Sequence, residues 1–325
     1  MIKIHLENEI KLCKKHYLNC RDVILKRIER KLEKGSFSEY FGLLNYIKKR
    51  LEDIITNKPN GLADIYNEFI SQFHHILKSE KNDNETDDLI NKILNYKSFS
   101  TKATSSTKWD AYKLAEALNV SVCPYCNRIY TNTVTKDEKK IVRPDFDHFF
   151  PKSLYPLFQM SFYNLIPSCT ICNSRLKLHY DLAPEKLNEF IHPYLDEFGK
   201  DGRFTYKNTI KDESSSIYSK ENIRIEITNS KFQKLDDCKL QVKNNCEMFK
   251  IEEIYQMHTD IVSEMIYDFN VYNDIYIEFL RSFDSLGLSK GEIYKIAFRN
   301  FYDPKDFQKR PLSKLTRDIY DELSG

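Results

Sequence analysis

The sequence predicts an α+β chain that is mostly helical, with a small zinc-stapled module at its centre and helical regions on both sides. Three observations carry this. Apolar residues recur at three- and four-residue steps through both flanks, the spacing of a buried helical face. Glycine and proline are sparse, 8 and 10 in 325 residues, which disfavours a turn-rich β fold. Two C-x-x-C pairs, Cys123–Cys126 and Cys169–Cys172, bracket two short strand-like stretches. The expected division is an N-terminal helical region (1–100), the metal-bearing module (101–200), and a C-terminal region (201–325) of short strand and then helices.

In the first region Ile10, Cys13, Tyr17 and Cys20, followed by Val23, Ile24, Ile28 and Leu32, form one helical stripe. A second helix runs through Phe41, Leu44, Ile47 and Leu51. The polar run SEKNDNETDD at 79–88 predicts a loop, after which helix resumes from Leu89 to Tyr96. SFSTKATSSTK at 98–108 is rich in Ser and Thr and is the best candidate linker. Trp109 to Leu118 reads as a short helix leading into the first cysteine pair.

In the module, Arg128 to Val134 and Lys140 to Phe146 read as short strands around the polar turn Lys136-Asp137-Glu138, with Asp147 and His148 at the end of the second. Thr170 to Tyr180 reads as a helix, on which Asn173 and Lys177, four apart, share a face. Beyond it, Ile223 to Ile227 is a strand after a Ser-rich turn at 214–216. The pattern from Leu235 onward is helical, notably Ile251 to Leu280, with breaks at Gly287 and Pro304. The stripe Ile254, Met257, Ile261, Met265, Ile266 and Phe269 predicts a core or partner face. Gly-rich phosphate motifs are absent, so the chain carries no ATPase of its own.

Four thiolates in two C-x-x-C pairs suit one tetrahedral Zn²⁺, and a closed sulfur shell leaves no open position for chemistry. The zinc is therefore structural, fixing strand to helix in a module too small to bury much apolar area. The other four cysteines, Cys13, Cys20, Cys238 and Cys246, lie in helix-like segments and read as buried, inert thiols. Chemistry must sit between or beside the two pairs, where Asp147, His148 and Asn173 supply a carboxylate, an imidazole and a carboxamide. These groups can hold a hard divalent cation, Mg²⁺ or Mn²⁺, and activate a water next to it. Imidazole titrates near neutral pH, so His148 is the candidate general base. Net charge is +2 overall, but residues 123–180 carry eight Lys/Arg against four Asp/Glu, and residues 1–60 fourteen against eight. Such basic excess is compatible with phosphate binding.

From Cys123 to Lys177 the chain resembles the HNH (ββα-metal) nucleases that carry a zinc-binding cysteine quartet. The matching pieces are CPYC at 123–126, DHFFPKSLYP at 147–156, NLIP at 164–167 and CTICNSRLK at 169–177. Within that superfamily it is most similar to bacterial antiphage-defence HNH proteins, such as the HNH subunit of Septu-type and retron-associated systems. The resemblance covers about a sixth of the chain. It implies a catalytic set of Asp147 and Asn173 as ligands of Mg²⁺ or Mn²⁺, His148 as base, and Asn164 tying the loop between strand and helix through backbone hydrogen bonds. Lys177, Arg143, Lys152 and Arg175 would meet nucleic-acid phosphates. Asn173 stands where the three-letter pattern ends in a second His, a replacement the zinc-containing branch accepts, including phage junction resolvases of the endonuclease VII type.

The expectation is thus an endonuclease hydrolysing DNA, effector of an antiphage system and working beside a protein partner such as an ATPase subunit. Two alternatives stand: a toxin-like nuclease cleaving RNA or tRNA, and a zinc-finger nucleic-acid-binding or scaffold protein with an inactive site. No signal peptide is read at the N-terminus, and no apolar run approaches a membrane span. The expected location is the cytoplasm.

Overall fold

The computed structural model describes residues 1–33, 40–77, 83–101, 109–137, 139–178, 180–209, 219–229, 234–271, 282, 287 and 289–324. The predicted linker beyond residue 101, the turn at 214–216 and the helical stretch beyond residue 271 lie outside them. Among the described residues the chain is mostly helical, with three small antiparallel sheets of two strands each. None of the described helices is long and apolar enough to cross a membrane.

The N-terminal helices are α1 (Glu9–Glu33), α2 (Phe41–Thr56), α3 (Pro59–Leu77), α4 (Asp83–Leu94) and α5 (Tyr96–Ser100). Helix α1 has Glu9 in its first turn and Arg30 and Lys31 in its last, matching the helix dipole at both ends. It buries Cys13, His16, Tyr17, Cys20, Ile24 and Ile28, whereas Ile10 and Val23 of the predicted stripe face solvent. Helix α4 starts within the run predicted as loop, at Asp83. Helix α6 (Ala111–Leu118) is capped by Asp110, whose carboxylate accepts from the N–H groups of Tyr112 and Lys113, and it ends at Asn119 in the left-handed conformation.

Strands β1 (Val134–Lys136) and β2 (Lys139–Val142) form an exposed hairpin. This corrects the predicted strands: Arg128 to Thr133 supplies only an isolated bridge, between Tyr130 and Val122. Asp147 and His148 lie instead on a separate strand, β3 (Asp145–His148), which pairs antiparallel with β4 (Leu165–Ser168). The register sets Asp147 opposite Ile166 and His148 opposite Leu165. A short helical stretch, 170–176, follows β4 in place of the longer predicted helix. Its part from Cys172 to Leu176 is wound as a π-helix, and the Lys177 N–H reaches back to the Cys172 carbonyl at 3.0 Å. Such π turns are rare and concentrate at functional sites.

The C-terminal region pairs β5 (Arg203–Asn208) with β6 (Ile223–Thr228). Helices α7 (Leu240–Phe249), α8 (Ile251–Tyr255), α9 (Thr259–Val271), α10 (Lys290–Phe298) and α11 (Ser313–Leu323) complete it. Of the stripe predicted in α8 and α9, Met265 and Ile266 are buried while Met257 is exposed.

One apolar core runs through all three regions, from Met1 to Ile319. The N-terminal helices surround the loop between β3 and β4. His16 of α1 bonds the Met160 carbonyl at 2.9 Å, Ser161 donates to the Ile54 carbonyl at the end of α2, and the Tyr96 N–H reaches the Gln159 side chain at 2.9 Å. On the opposite side, Tyr255 of α8 donates to the Cys126 carbonyl at 2.6 Å. Asn127, in the left-handed region at φ 49°, accepts from the N–H groups of Leu312 and Lys314 and donates to the Phe307 carbonyl. Both flanks therefore brace the centre directly.

Candidate metal centre and acid–imidazole site

Each half of the cysteine quartet enters from a different local structure. Cys123 and Cys126 lie on a tight turn closed by the Asn127 N–H on the Cys123 carbonyl at 2.8 Å. Cys169 and Cys172 bracket the start of the helical stretch after β4, and the Cys172 N–H points at the Cys169 sulfur at 3.4 Å. All four thiols are buried, and their sulfurs lie within 4.8 Å of one another. Zn–S bonds of about 2.3 Å in a tetrahedron put sulfurs about 3.8 Å apart, so the quartet can hold one structural zinc ion. Mutual hydrogen bonding divides the four thiols, lowering Cys169 and Cys126 and raising Cys123 and Cys172. Bonds from Cys123, Cys126 and Cys172 draw the Cys169 pKa far below the thiol range, while burial drives Cys123 well above it. Among the described residues this is the one cluster of three or more His, Cys, Asp or Glu side chains with metal-ligand geometry.

Asp147, on β3, is buried, and its carboxylate is held from two sides. The Tyr125 hydroxyl, from inside the first cysteine turn, donates to Oδ2 at 2.5 Å. The Lys177 ammonium meets Oδ1 at 2.9 Å and Oδ2 at 2.7 Å, and also donates to the carbonyls of His148 at 2.6 Å and Phe149 at 3.0 Å. Lys177 is thus buried and fully engaged rather than presented on the surface, which corrects its expected place among phosphate-contacting side chains. Burial lowers its pKa, opposed by the neighbouring Asp147. Tyr125 was not singled out by sequence. Its position inside C-x-x-C reads as spacer, yet its ring stacks on Phe249 at 4.4 Å and its hydroxyl joins the zinc turn to the acid.

His148, next on β3, is buried with its Nε2 3.0 Å from the Gln159 carbonyl and its ring edge-on to Tyr96. Burial lowers its pKa to about 4, which the Gln159 carbonyl and Asp147 counteract. Gln159 is in turn fixed by Tyr96, by the Asn91 side chain at 2.8 Å and by the Pro156 carbonyl at 2.9 Å. Asn164 is fully buried beneath the same loop. Its carbonyl oxygen accepts from the Phe150 N–H at 2.7 Å, and its amide donates to the carbonyls of Phe150 and Phe158. Those three bonds join both ends of the β3–β4 loop.

Asn173 lies on the π-helical turn that packs against β3, half-exposed. Its backbone N–H bonds the Cys169 carbonyl at 3.0 Å, and its carboxamide makes no hydrogen bond among the described residues. The basic residues diverge. Arg175 and Lys152 are exposed, the latter 4.9 Å from the centre of the Tyr96 ring. Arg143 is half-buried, with its guanidinium on the carbonyls of Pro144 and Ser100. Asp147 and Asn173 both carry oxygen donors, but Asp147 presents its carboxylate to Lys177. The arrangement has a buried carboxylate, a buried neutral imidazole and a cation already seated on the acid.

No family model matches the chain, and no solved structure matches it. The chain is similar to Protein ea31 of Escherichia phage lambda, at 36% identity over 75 residues. That match takes in 23% of this chain and 21% of the phage protein, so the chain spans about a fifth of the length of the relative it matches.

Proposed function

We propose that the chain is a metal-dependent endonuclease of the HNH (ββα-metal) kind that hydrolyses DNA phosphodiester bonds, with structural Zn²⁺ on the cysteine quartet and catalytic Mg²⁺ or Mn²⁺ at Asp147 and Asn173. The observation that supports it best is the tautomer of His148. A carbonyl only accepts, so the bond to Gln159 puts the ring proton on Nε2. The lone pair then lies on Nδ1. An oriented, neutral imidazole of this kind takes a proton from an attacking water, a contribution of about 10²–10⁴ in rate. A bound divalent ion supplies charge stabilisation at the phosphate and the departing oxygen. Asn164 keeps the loop that carries Gln159 in register with β3. Arg175 and Lys152, both exposed, are the cations available to backbone phosphates.

The resemblance extends the proposal to a defence effector that works with an ATPase subunit. One observation favours a second reading, a zinc-stapled nucleic-acid-binding protein without catalysis: Lys177 already occupies Asp147. Zinc-loaded protein incubated with Mg²⁺ or Mn²⁺ on plasmid, single-stranded DNA and tRNA separates these. Metal-dependent cleavage of DNA, lost in His148→Ala, supports the nuclease; cleavage of tRNA alone redirects it to RNA. Binding with no cleavage of any substrate leaves the second reading.

A further inference from the structure

We propose that Lys177 is a tethered cation that holds the Asp147 carboxylate in place of a divalent ion and competes with that ion for it. The inference rests on the nuclease reading for the identity of the incoming cation.

Four oxygens converge on the Lys177 ammonium: both of Asp147 and the carbonyls of His148 and Phe149, at 2.6 to 3.0 Å. An ammonium has three protons, so this is more acceptor than ordinary hydrogen bonding requires. An all-oxygen shell around one positive charge is the environment that hard cations take. The site is dry, with the side chains of Lys177 and Asp147 only 4% and 6% exposed. A buried ammonium is tolerated only when paired, as this one is. A second, doubly charged ion on the same carboxylate would meet Lys177 as a like charge in a weakly screened space.

The backbone explains why Lys177 reaches the acid. Its N–H closes a π turn on Cys172, a zinc-quartet residue, so the lysine is anchored at the edge of the zinc site. Tyr125, between the cysteines of the other pair, also holds Oδ2. Divalent loading therefore requires the Lys177 side chain to withdraw while Tyr125 keeps the carboxylate in position.

The test is Mn²⁺ binding to zinc-loaded, full-length protein, by calorimetry and by the thermal shift that Mn²⁺ produces, for wild type, Lys177→Met and Asp147→Asn/Lys177→Met. Lys177→Met should bind Mn²⁺ at least tenfold more tightly than wild type. It should melt lower than wild type without Mn²⁺, because a buried carboxylate loses its partner, and should regain stability when Mn²⁺ is added. The double variant, which removes both charges, should fold and show no Mn²⁺ response. Equal or weaker Mn²⁺ binding by Lys177→Met, or a Lys177→Met protein that Mn²⁺ does not stabilise, overturns the proposal. If affinities are equal but wild type still cleaves DNA, the nuclease reading survives and the competition does not. If Mn²⁺ binds more tightly to Lys177→Met but no variant cleaves, the competition stands and the nuclease reading falls.

Discussion

The ring of Tyr96 stands edge-on to the imidazole of His148, with centroids 4.4 Å apart and planes at 80°. The same tyrosine's N–H holds the Gln159 side chain, and the Gln159 backbone carbonyl accepts the hydrogen bond of the His148 Nε2–H. An N-terminal helix thus sets the orientation of the proposed base through one intervening residue. Gln159→Ala keeps the backbone carbonyl that accepts from His148 but removes the side-chain bonds that fix it, so it should lower kcat about tenfold and leave KM nearly unchanged. His148→Ala should lower kcat by about 10²-fold or more. Steady-state cleavage kinetics on plasmid DNA check both, and a Gln159→Ala defect confined to KM would contradict the positioning role.

Zinc should be stoichiometric, about one ion per chain as tetrahedral sulfur sites hold. Cys169→Ser should lose the metal and destabilise the surrounding structure, because the quartet joins the first turn, β4 and the π turn. Elemental analysis of purified protein, with melting measured before and after chelation, tests this. Folded protein without zinc is the result that refutes it.

Asn164→Ala should destabilise the fold by about 2–4 kcal/mol, since it leaves the buried Phe150 N–H and carbonyl without partners and takes one of two donors from the Phe158 carbonyl. Asn164→Asp, which keeps the acceptor for Phe150 and loses both donors, should also be destabilised. Denaturant unfolding at neutral pH measures each, and a loss under about 0.5 kcal/mol for Asn164→Ala would show that the loop is held by other contacts.

Acid should act on His16. Its Nε2 faces the Met160 carbonyl and its Nδ1 accepts from the Trp109 indole N–H at 3.1 Å, so a second ring proton would point at a donor. Burial lowers its pKa from 6.5 to about 4. A base whose folded pKa lies below its unfolded value gives stability that is whole above pH 6.5 and lost as pH falls towards 4. Its share is about 3 kcal/mol. Trp109 is the chain's one tryptophan, which makes its fluorescence a direct probe. The difference in stability between pH 7 and pH 4.5 should shrink in His16→Gln, and an unchanged difference would exclude His16 as a source.

The parts whose signal is local are legible in the residues alone. Cysteine spacing marked the quartet, three- and four-residue apolar steps marked α1 and α2, and the Asp147-His148 pair between the cysteine pairs marked the candidate site. Strand β4 was illegible because four residues containing Pro167 carry little β signal without β3 beside them. Strand β5 was missed for the same reason, since its pairing with β6 spans a sequence gap that periodicity does not cross.

What the charged and polar groups near the site do depends on how distant segments pack together. Lys177 reads in sequence as a phosphate-contacting cation four residues after Asn173, but a π turn and burial against β3 make it the partner of Asp147. Tyr125 reads as a spacer, and Gln159 as a loop residue, until the loop folds back under α5 and the first cysteine turn meets the acid. The physical reason is that burial and long-range hydrogen bonding assign these roles, and both depend on contacts between segments distant in the chain.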